Sequence, residues 1–565
     1  MVGFLGMTGK ALSVAQIALV VAPSFILFGY NQSGLGPLLS EENWRHQFPQ
    51  INTVDYKGEI KAHHATLQGL VIATFTLGAL IGALSCSWTG TRLGRRWVIF
   101  IGALCTLVGE AIECSAFGLA QLIVGRVIIG LGVGQLSATV PVWQSECSSA
   151  KNRGKHVVLD GMFISLGYTL ESWIDFGFFT LKTGSVTWRP PIAIALLFSL
   201  IVLFSVWFFP ESPRWLLAQN RGQEARENLA ALKGLPVDAP EIEAECVGIE
   251  LSLEDSSAKA ASFKDLFSMG EDKLAYRFGL CILLQFFQQM SGTNLISVYA
   301  STIFQQGLGM TAYNSKLLSA GTLTWKFLSC FVAFFCIDRF GRRVCFIISG
   351  AGMSCCMLAL AVATSFPHDN YGASVAAAFF VYLFCFFTPI GFLGANFLYC
   401  AEISPIRLRV AMASISTANH WLWNFAVAMI TPVAINNIGY KYYIVYACIG
   451  ACIPVTVYFL CKLYHLAIEC RSREFRDWWI WQIFSPKLHS RLLHSMMTSH
   501  NLCTHADYNA PDPETKGRSL EELDTIFKDS PSVLGTVKYA KYKPMMSVEE
   551  VPYAKTSEHV HEEKV

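Results

Sequence analysis

The chain has 565 residues, of which 53% are hydrophobic and 15% charged, with a formal net charge of +2 and a mean hydropathy of +0.41. Soluble domains average roughly 25% charged residues, so lipid is expected to be part of this chain's solvent and a polytopic membrane protein is expected. A secreted disulfide scaffold and a disordered regulator are excluded, and the near-neutral charge gives no field for a polyanion, so no nucleic-acid partner is expected.

In chain order, twelve candidate spans have cores at 12–33, 66–87, 97–117, 119–140, 157–179, 191–209, 276–304, 316–336, 344–365, 373–399, 412–434 and 442–463. Each is close to the roughly 20 residues that cross about 30 Å of hydrocarbon. The first run ends in Gly29-Tyr30-Asn31-Gln32 and lacks a small-residue cleavage site, so it is expected to stay as a helix. The runs show no alternation, and open sheets cannot survive in lipid, so the fold class is all-α. Most of the 18 cysteines, such as Cys105, Cys281, Cys355, Cys356, Cys385 and Cys452, lie inside apolar runs and read as packing residues. The polar stretch 35–65 holds none, and no structural disulfide is expected there.

Lys and Arg gather in alternate short loops, at Arg92, Arg95 and Arg96, at Lys151, Arg153 and Lys155, at Arg339, Arg342 and Arg343, and at Arg407 and Arg409. The positive-inside rule makes those loops cytoplasmic. An even number of spans then puts both termini in the cytoplasm, with the plasma membrane as the expected residence. The chain divides into a first six-helix half (1–210), a cytoplasmic linker of short amphipathic helices (211–272), a second half (273–467) and a cytoplasmic tail (468–565).

The halves repeat each other. Thr91-Arg92-Leu93-Gly94-Arg95-Arg96 after span two recurs as Asp338-Arg339-Phe340-Gly341-Arg342-Arg343 after span eight, and Glu146 stands before Arg153 as Glu402 stands before Arg409. Duplication is the simplest cause, and two six-helix halves about an axis along the membrane normal form a transporter architecture with its substrate near the midplane.

Pro210-Glu211-Ser212-Pro213-Arg214-Trp215-Leu216 after span six and Pro513-Glu514-Thr515-Lys516-Gly517-Arg518-Ser519 in the tail resemble hallmarks of the sugar porters of the major facilitator superfamily. Gln288-Gln289-Met290-Ser291-Gly292-Thr293-Asn294 looks like that family's sugar-binding signature, and Gly125-Arg126 in span four also matches. The likeness runs from about residue 28 to 527 and is greatest to filamentous-fungal members. It implies a carrier for a sugar or sugar-like solute (hexose, pentose, polyol or sugar acid) working by alternating access. It also implies a monomer in the lipid bilayer with a small-molecule substrate, no enzyme activity, no cofactor and no metal. The alternatives are a non-transporting nutrient sensor, motivated by the tail, and an exporter of a specialised metabolite.

The resemblance implies an inner charge network of Arg92, Arg95, Arg96, Glu146, Arg153, Glu211, Arg214, Asp338, Arg339, Arg342, Arg343, Glu402 and Arg409, whose weak ion pairs form and break as the halves rock. Topology signalling alone is the other reading of these charges. Thr91 departs from the acidic residue usual there.

A sugar loses water from many hydroxyls on binding, and amides can donate and accept at once. Gln285, Gln288, Gln289 and Asn294 in span seven match the family's sugar-contacting amides, and their steps of three, four and nine residues put most of them on one half of a helix surface. Helix-to-helix hydrogen bonding is the other use of such amides. The remaining substrate-binding candidates are Asn31, Lys326, Phe397, His420 and Asn424. Several depart from the family pattern, as do Gly161 and Pro389: Phe397 replaces a tryptophan, His420 an asparagine, and Lys326 an asparagine. An ammonium near the midplane costs roughly 2.5–3.5 kcal/mol. Lys326 is expected either to face a polar substrate, favouring an anion, or to pair structurally with Glu171 or Asp175.

Proton-coupled members carry a span-one aspartate opposite the span-four arginine. Here Asn31 stands opposite Arg126, which favours facilitation over proton symport, with Glu110, Glu113, Glu171, Asp175 and His420 as substitute proton carriers. The dinucleotide-like Gly130-Leu131-Gly132-Val133-Gly134 follows no strand and reads as close helix packing. Asn31-Gln32-Ser33, formally a glycosylation site, lies too deep to be used. An insertion at about 469–510, carrying Trp478, Trp479 and Trp481 beside Arg473, Arg476 and Lys487, reads either as an inner-interface segment or as a misjoined gene sequence.

Overall fold

The computed structural model describes residues 6–148, 153–181, 184–257, 267, 274–367, 370–393, 399–400, 403–404 and 408–460. The insertion at 469–510 and the tail motif lie outside them, as do Phe397 and Glu402; the helices containing Arg153, Asp338 and Arg342 are described, their side chains are not.

Every regular element among the described residues is helical. In the first group, span one runs Gly9–Gln16, Ile17–Val21 and Ala22–Ser33, followed by Gly58–Arg92, Arg95–Cys114, Leu119–Cys147, Arg153–Phe179 and Arg189–Ser205. In the second, span seven is Leu274–Met290 with Thr293–Thr302, followed by Ala312–Phe340, Arg342–Thr364, Tyr371–Phe392, Arg409–Ile438 and Lys441–Leu460. Nine spans among the described residues are long and apolar enough to cross a membrane by themselves. The other three, spans five, seven and eleven, carry most of the polar side chains singled out above.

One apolar core lies mainly in the first group and also takes in Leu323, Ala418 and Trp421 of the second; another lies within the second group. Phe25, Ile99, Ile129 and Trp143 belong to one, and Leu284, Phe304, Met357 and Val381 to the other. Span two lies along span eleven and span five along span eight, which joins the groups. Within the first group the glycine-rich run of span four makes the close packing expected of it: a Cβ at Gly130 or Gly134 would stand 2.1 Å from the carbonyl oxygen of Phe75 or Ala79 on span two. Glycine also permits contact between the groups, because a Cβ at Gly36 would meet the Val298 carbonyl oxygen at 2.1 Å, and one at Gly69 that of Met429 at 2.6 Å. Those two contacts lie at the end of the bundle opposite the arginine-rich loops.

The linker is folded. Pro213–Ala218, Gly222–Lys233 and Pro240–Ser257 are helices, the first capped by Ser212 Oγ accepting from the Trp215 N–H at 3.2 Å. Leu216, Leu217, Ala225 and Ile249 form one small core, and Leu229, Ala230, Ile242 and Cys246 another.

The single continuous span expected at 276–304 is corrected: it breaks at Ser291 and Gly292, the latter at φ +91°, a left-handed conformation that glycine adopts freely. The helical spacing that put Asn294 on the face of the three glutamines therefore does not apply across the break.

Candidate functional site

Although the helix breaks, the four span-seven amides gather with His420 of span eleven. Gln289 Nε2 donates to His420 Nε2 at 2.9 Å, and His420 Nδ1 reaches Gln288 Oε1 at 2.9 Å and Gln285 Oε1 at 3.1 Å. Gln289 Nε2 also lies 3.1 Å from His420 Nδ1, and the tautomer protonated at Nδ1 shares its one N–H between the Gln288 and Gln285 oxygens. Asn294 Nδ2 donates to Gln289 Oε1, and Tyr168 of span five donates its hydroxyl to Asn294 Oδ1 at 3.4 Å. The break thus turns Asn294 back toward the glutamines.

Asn294 also lines a gap between the two groups with Gln32, Phe75, Arg126, Tyr299 and Asn424. Gln32 Nε2 and Asn424 Nδ2 are buried and, among the described residues, have no hydrogen-bond partner. An amide donor left this way costs about 1–3 kcal/mol, so the gap is chemically suited to hydroxyl acceptors. Phe28, Phe75 and Trp421 form an aromatic wall, with Trp421 at 4.9 Å from Phe28 and 5.7 Å from Phe75 between ring centroids. Trp421 Nε1 crosses to the other group and donates to Ser137 Oγ at 3.1 Å.

Arg126 lies 4.8 Å above the Phe75 ring and donates to the Asn31 backbone carbonyl at 3.2 Å. A carboxylate does face it: Glu113 Oε1 of span three is 3.7 Å away. The Asn31 side chain turns instead to Glu110, donating from Nδ2 to Oε1 at 2.9 Å, and Ser199 donates to the other Glu110 oxygen at 2.8 Å. Glu171 accepts from Ser33 Oγ at 2.8 Å.

Lys326 is 1% exposed, and its Nζ donates to Ser297 Oγ at 2.7 Å and sits 4.8 Å from the Tyr168 ring centre. The expected structural pairing with Glu171 or Asp175 does not occur. Asp175 is held by a different lysine, Lys316, whose Nζ is 2.8 Å from Asp175 Oδ2 and 3.1 Å from Glu41 Oε1. All three are buried at the end opposite the arginine-rich loops. Burial pushes the Glu41 carboxyl up to about 7, against the downward pull of the Lys316 ammonium.

At the arginine-rich end, Glu146 holds Arg95 through Nε at 2.9 Å and Nη2 at 3.0 Å. Arg409 of the second group is close enough to act on Glu146 electrostatically and donates to the Ser404 carbonyl at 3.3 Å. Glu211, expected to pair with arginine side chains, instead accepts the backbone N–H groups of Arg95 and Arg96 at 3.2 and 3.1 Å. It serves the N-terminus of span three, where unpaired N–H groups and the helix dipole favour a carboxylate. Arg96 donates to the Trp207 carbonyl at 2.8 Å and Arg343 to that of Tyr458 at 3.2 Å. Arg92 and Arg339 lie over Trp88 and Phe340, and Arg214 is half-buried on the first linker helix.

The pattern of residues 17–473 matches the model of the family described as Sugar (and other) transporter. The chain belongs to that family. Among relatives of this sugar-transporter family member is the sugar transporter STL1 of Saccharomyces cerevisiae, 30% identical over 97% of this chain and 87% of that one. Another is the major facilitator superfamily transporter mfsA of Aspergillus fumigatus, 32% identical over 78% of this chain and 82% of that one. Among solved structures, the proton:xylose symporter XylE superposes with a TM-score of 0.68 at 21% identity, covering 80% of this chain and 96% of that one. The fold is therefore the all-helical major facilitator fold, and the chain is a multi-pass membrane transporter rather than an enzyme.

Sequence reasoning missed one feature of this family member and left a second among several alternatives. Lys316 stands at the start of span eight and Glu41 in the polar stretch 35–65, and only their common burial with Asp175 distinguishes them. Glu113 was one of five substitute carboxylate or histidine candidates, and only the geometry sets it against Arg126.

Proposed function

We propose that the protein carries a sugar or sugar-like solute (hexose, pentose, polyol or sugar acid) across the membrane by alternating access. The observation that carries this reading is the gap between the groups, lined by Asn294 and by the Gln32 and Asn424 amide nitrogens, unpartnered among the described residues, beside the network of Gln285, Gln288, Gln289 and His420. Relatives named as sugar transporters support the solute class. The arginine-rich end is the cytoplasmic one by the positive-inside rule, both termini are cytoplasmic, the membrane is the plasma membrane and the working unit is a monomer. Glu146, Arg95 and Arg409 act as the contact that makes and breaks between the halves 1–210 and 273–467, with 211–272 as the cytoplasmic linker and 468–565 as the cytoplasmic tail.

Facilitation is the first reading of energy coupling, because Asn31 cannot titrate. A second reading, proton symport, is favoured by one specific observation: the Glu113 carboxylate facing Arg126 at 3.7 Å, a pairing whose proton affinity can change as the site opens to either side.

Uptake into proteoliposomes over sugars, polyols and sugar acids tests the proposal. Saturable flux of at least one is expected, and its absence for all of them sinks the reading.

A further inference from the structure

Two lysines on span eight differ in a way their burial does not explain. Lys316 and Lys326 are 2% and 1% exposed. Ten residues of helix separate them, about 15 Å along the axis. Lys316 is held by two carboxylates, Glu41 and Asp175. Around Lys326 Nζ there is one hydroxyl, Ser297 Oγ, and one aromatic face, Tyr168. Among the described residues no carboxylate lies within ion-pair distance of it. Along this one helix, carboxylates from other elements meet the lysine that ties the groups together, and among the described residues none meets the lysine further along. A buried cation in a membrane span ordinarily has a partner or marks the path of a ligand.

The position of Lys326 identifies what that partner would touch. Ser297, which holds the ammonium, lies one helical turn after Asn294, and Tyr168, whose ring lies beside the ammonium, donates its hydroxyl to Asn294. Lys326 and the amide network therefore share Tyr168 as a neighbour. Arg126, the other cation at this level, already faces Glu113. Of these two cations, Lys326 is thus the one left without a carboxylate among the described residues.

We propose that the carried solute is a polyhydroxy monocarboxylate, with its carboxylate on Lys326 and its hydroxyls on the span-seven amides and Asn424. A phosphate ester is the poorer fit, because a dianion with three oxygens calls for more donors than a single ammonium supplies. This inference rests on the carrier reading above and narrows it.

Gluconate and sorbitol form the discriminating pair, since they share a hydroxylated six-carbon chain and differ at one end, carboxylate against hydroxymethyl. Full-length protein in proteoliposomes is expected to take up gluconate at least ~10-fold faster than sorbitol or glucose at equal low concentration, a ratio that corresponds to one charge-assisted contact. Lys326→Gln should lower gluconate uptake about 10-fold more than it lowers sorbitol uptake, so that the preference is lost, and Lys326→Arg should keep the preference. Thermal shifts of the purified protein with each solute give a binding readout independent of flux and show whether each variant is folded. Sorbitol or glucose carried in preference to gluconate overturns the inference and leaves the carrier reading intact. A gluconate preference unchanged in Lys326→Gln overturns it too. Flux of none of the three, with gluconate-specific stabilisation that Lys326→Gln abolishes, supports the site and counts against the carrier reading; no stabilisation by gluconate overturns the inference and leaves the carrier reading to the wider solute panel.

Discussion

Lys316 Nζ of span eight lies 2.8 Å from Asp175 Oδ2 of span five, so a buried ion pair joins the two six-helix groups. Glu41 adds a second carboxylate at 3.1 Å. Removing one member strands the others in a dry environment, and breaking a buried pair costs about 3–5 kcal/mol. Lys316→Met is expected to lower the melting midpoint of the purified protein, and the triple variant with Asp175→Asn and Glu41→Gln should recover much of the loss. A Lys316→Met protein that melts with wild type would show that the pair contributes nothing.

The same cluster sets a pH dependence. Glu41 holds its proton up to about 7 in the folded protein, against an ordinary value of 4.5, because burial outweighs the Lys316 ammonium. Between those values the folded state binds a proton that the unfolded state has lost, so stability falls as pH rises, by at most about 1.4 kcal/mol per unit. Melting midpoints measured from pH 5 to 8 should decline, and Glu41→Gln should flatten the decline. A midpoint that rises over that window in wild type contradicts the assignment.

Part of this was legible in the sequence and part was not. Twelve helical segments, the duplicated loops and the amides of span seven follow from composition, from Thr91 to Arg96 recurring at Asp338 to Arg343, and from a pattern held in one stretch of chain. The missed features are contacts between residues far apart in sequence. Lys316 lies 275 positions from Glu41 and 141 from Asp175, and no periodicity links them. Glu211 was read as an ion-pair partner because charge is visible in a sequence, whereas the N–H groups it accepts are not. The helix break at Gly292 was hidden because a glycine within an apolar run signals close packing as readily as a turn.

The amide network should respond to truncation. Gln288→Ala or Asn424→Ala removes a hydrogen-bonding group worth about 0.5–1.5 kcal/mol, which raises the half-saturation concentration by roughly 2- to 12-fold. His420→Phe should have a larger effect than either, since three glutamines lose a shared partner. Concentration-dependent uptake measures all three. Half-saturation values within error of wild type in every variant would remove the network from the binding site.

Energy coupling turns on Asn31 and Glu113. With facilitation, internal and external substrate should equalise at external pH of about 5 and of about 7.5 alike, once any membrane potential is clamped, because no proton is moved with the solute. Accumulation that a protonophore collapses, and that Glu113→Gln abolishes while exchange of internal for external substrate persists, would instead assign coupling to the Glu113–Arg126 pair.

Glu146 is the inner contact with a defined geometry. Glu146→Gln keeps the shape but removes the charge that holds Arg95 and acts on Arg409. Weakening it should lower the maximal uptake rate by about 10-fold or more, since a shift of about 1.4 kcal/mol in the balance of two states is a factor of ten, with a smaller change in half-saturation. An unchanged maximal rate would reduce the loop charges to topology signals.

At the end away from the arginines, the groups touch through bare backbone at Gly36 against Val298 and at Gly69 against Met429. No side chain lies between them that could rotate aside, so the fit there is gauged by the radius of an atom. A methyl at position 36 would stand 2.1 Å from an oxygen, whereas non-bonded carbon and oxygen settle more than about 3 Å apart. That shortfall would have to be absorbed by tilting whole helices, and the narrowest spacer the genetic code offers would act as a wedge that keeps this mouth ajar.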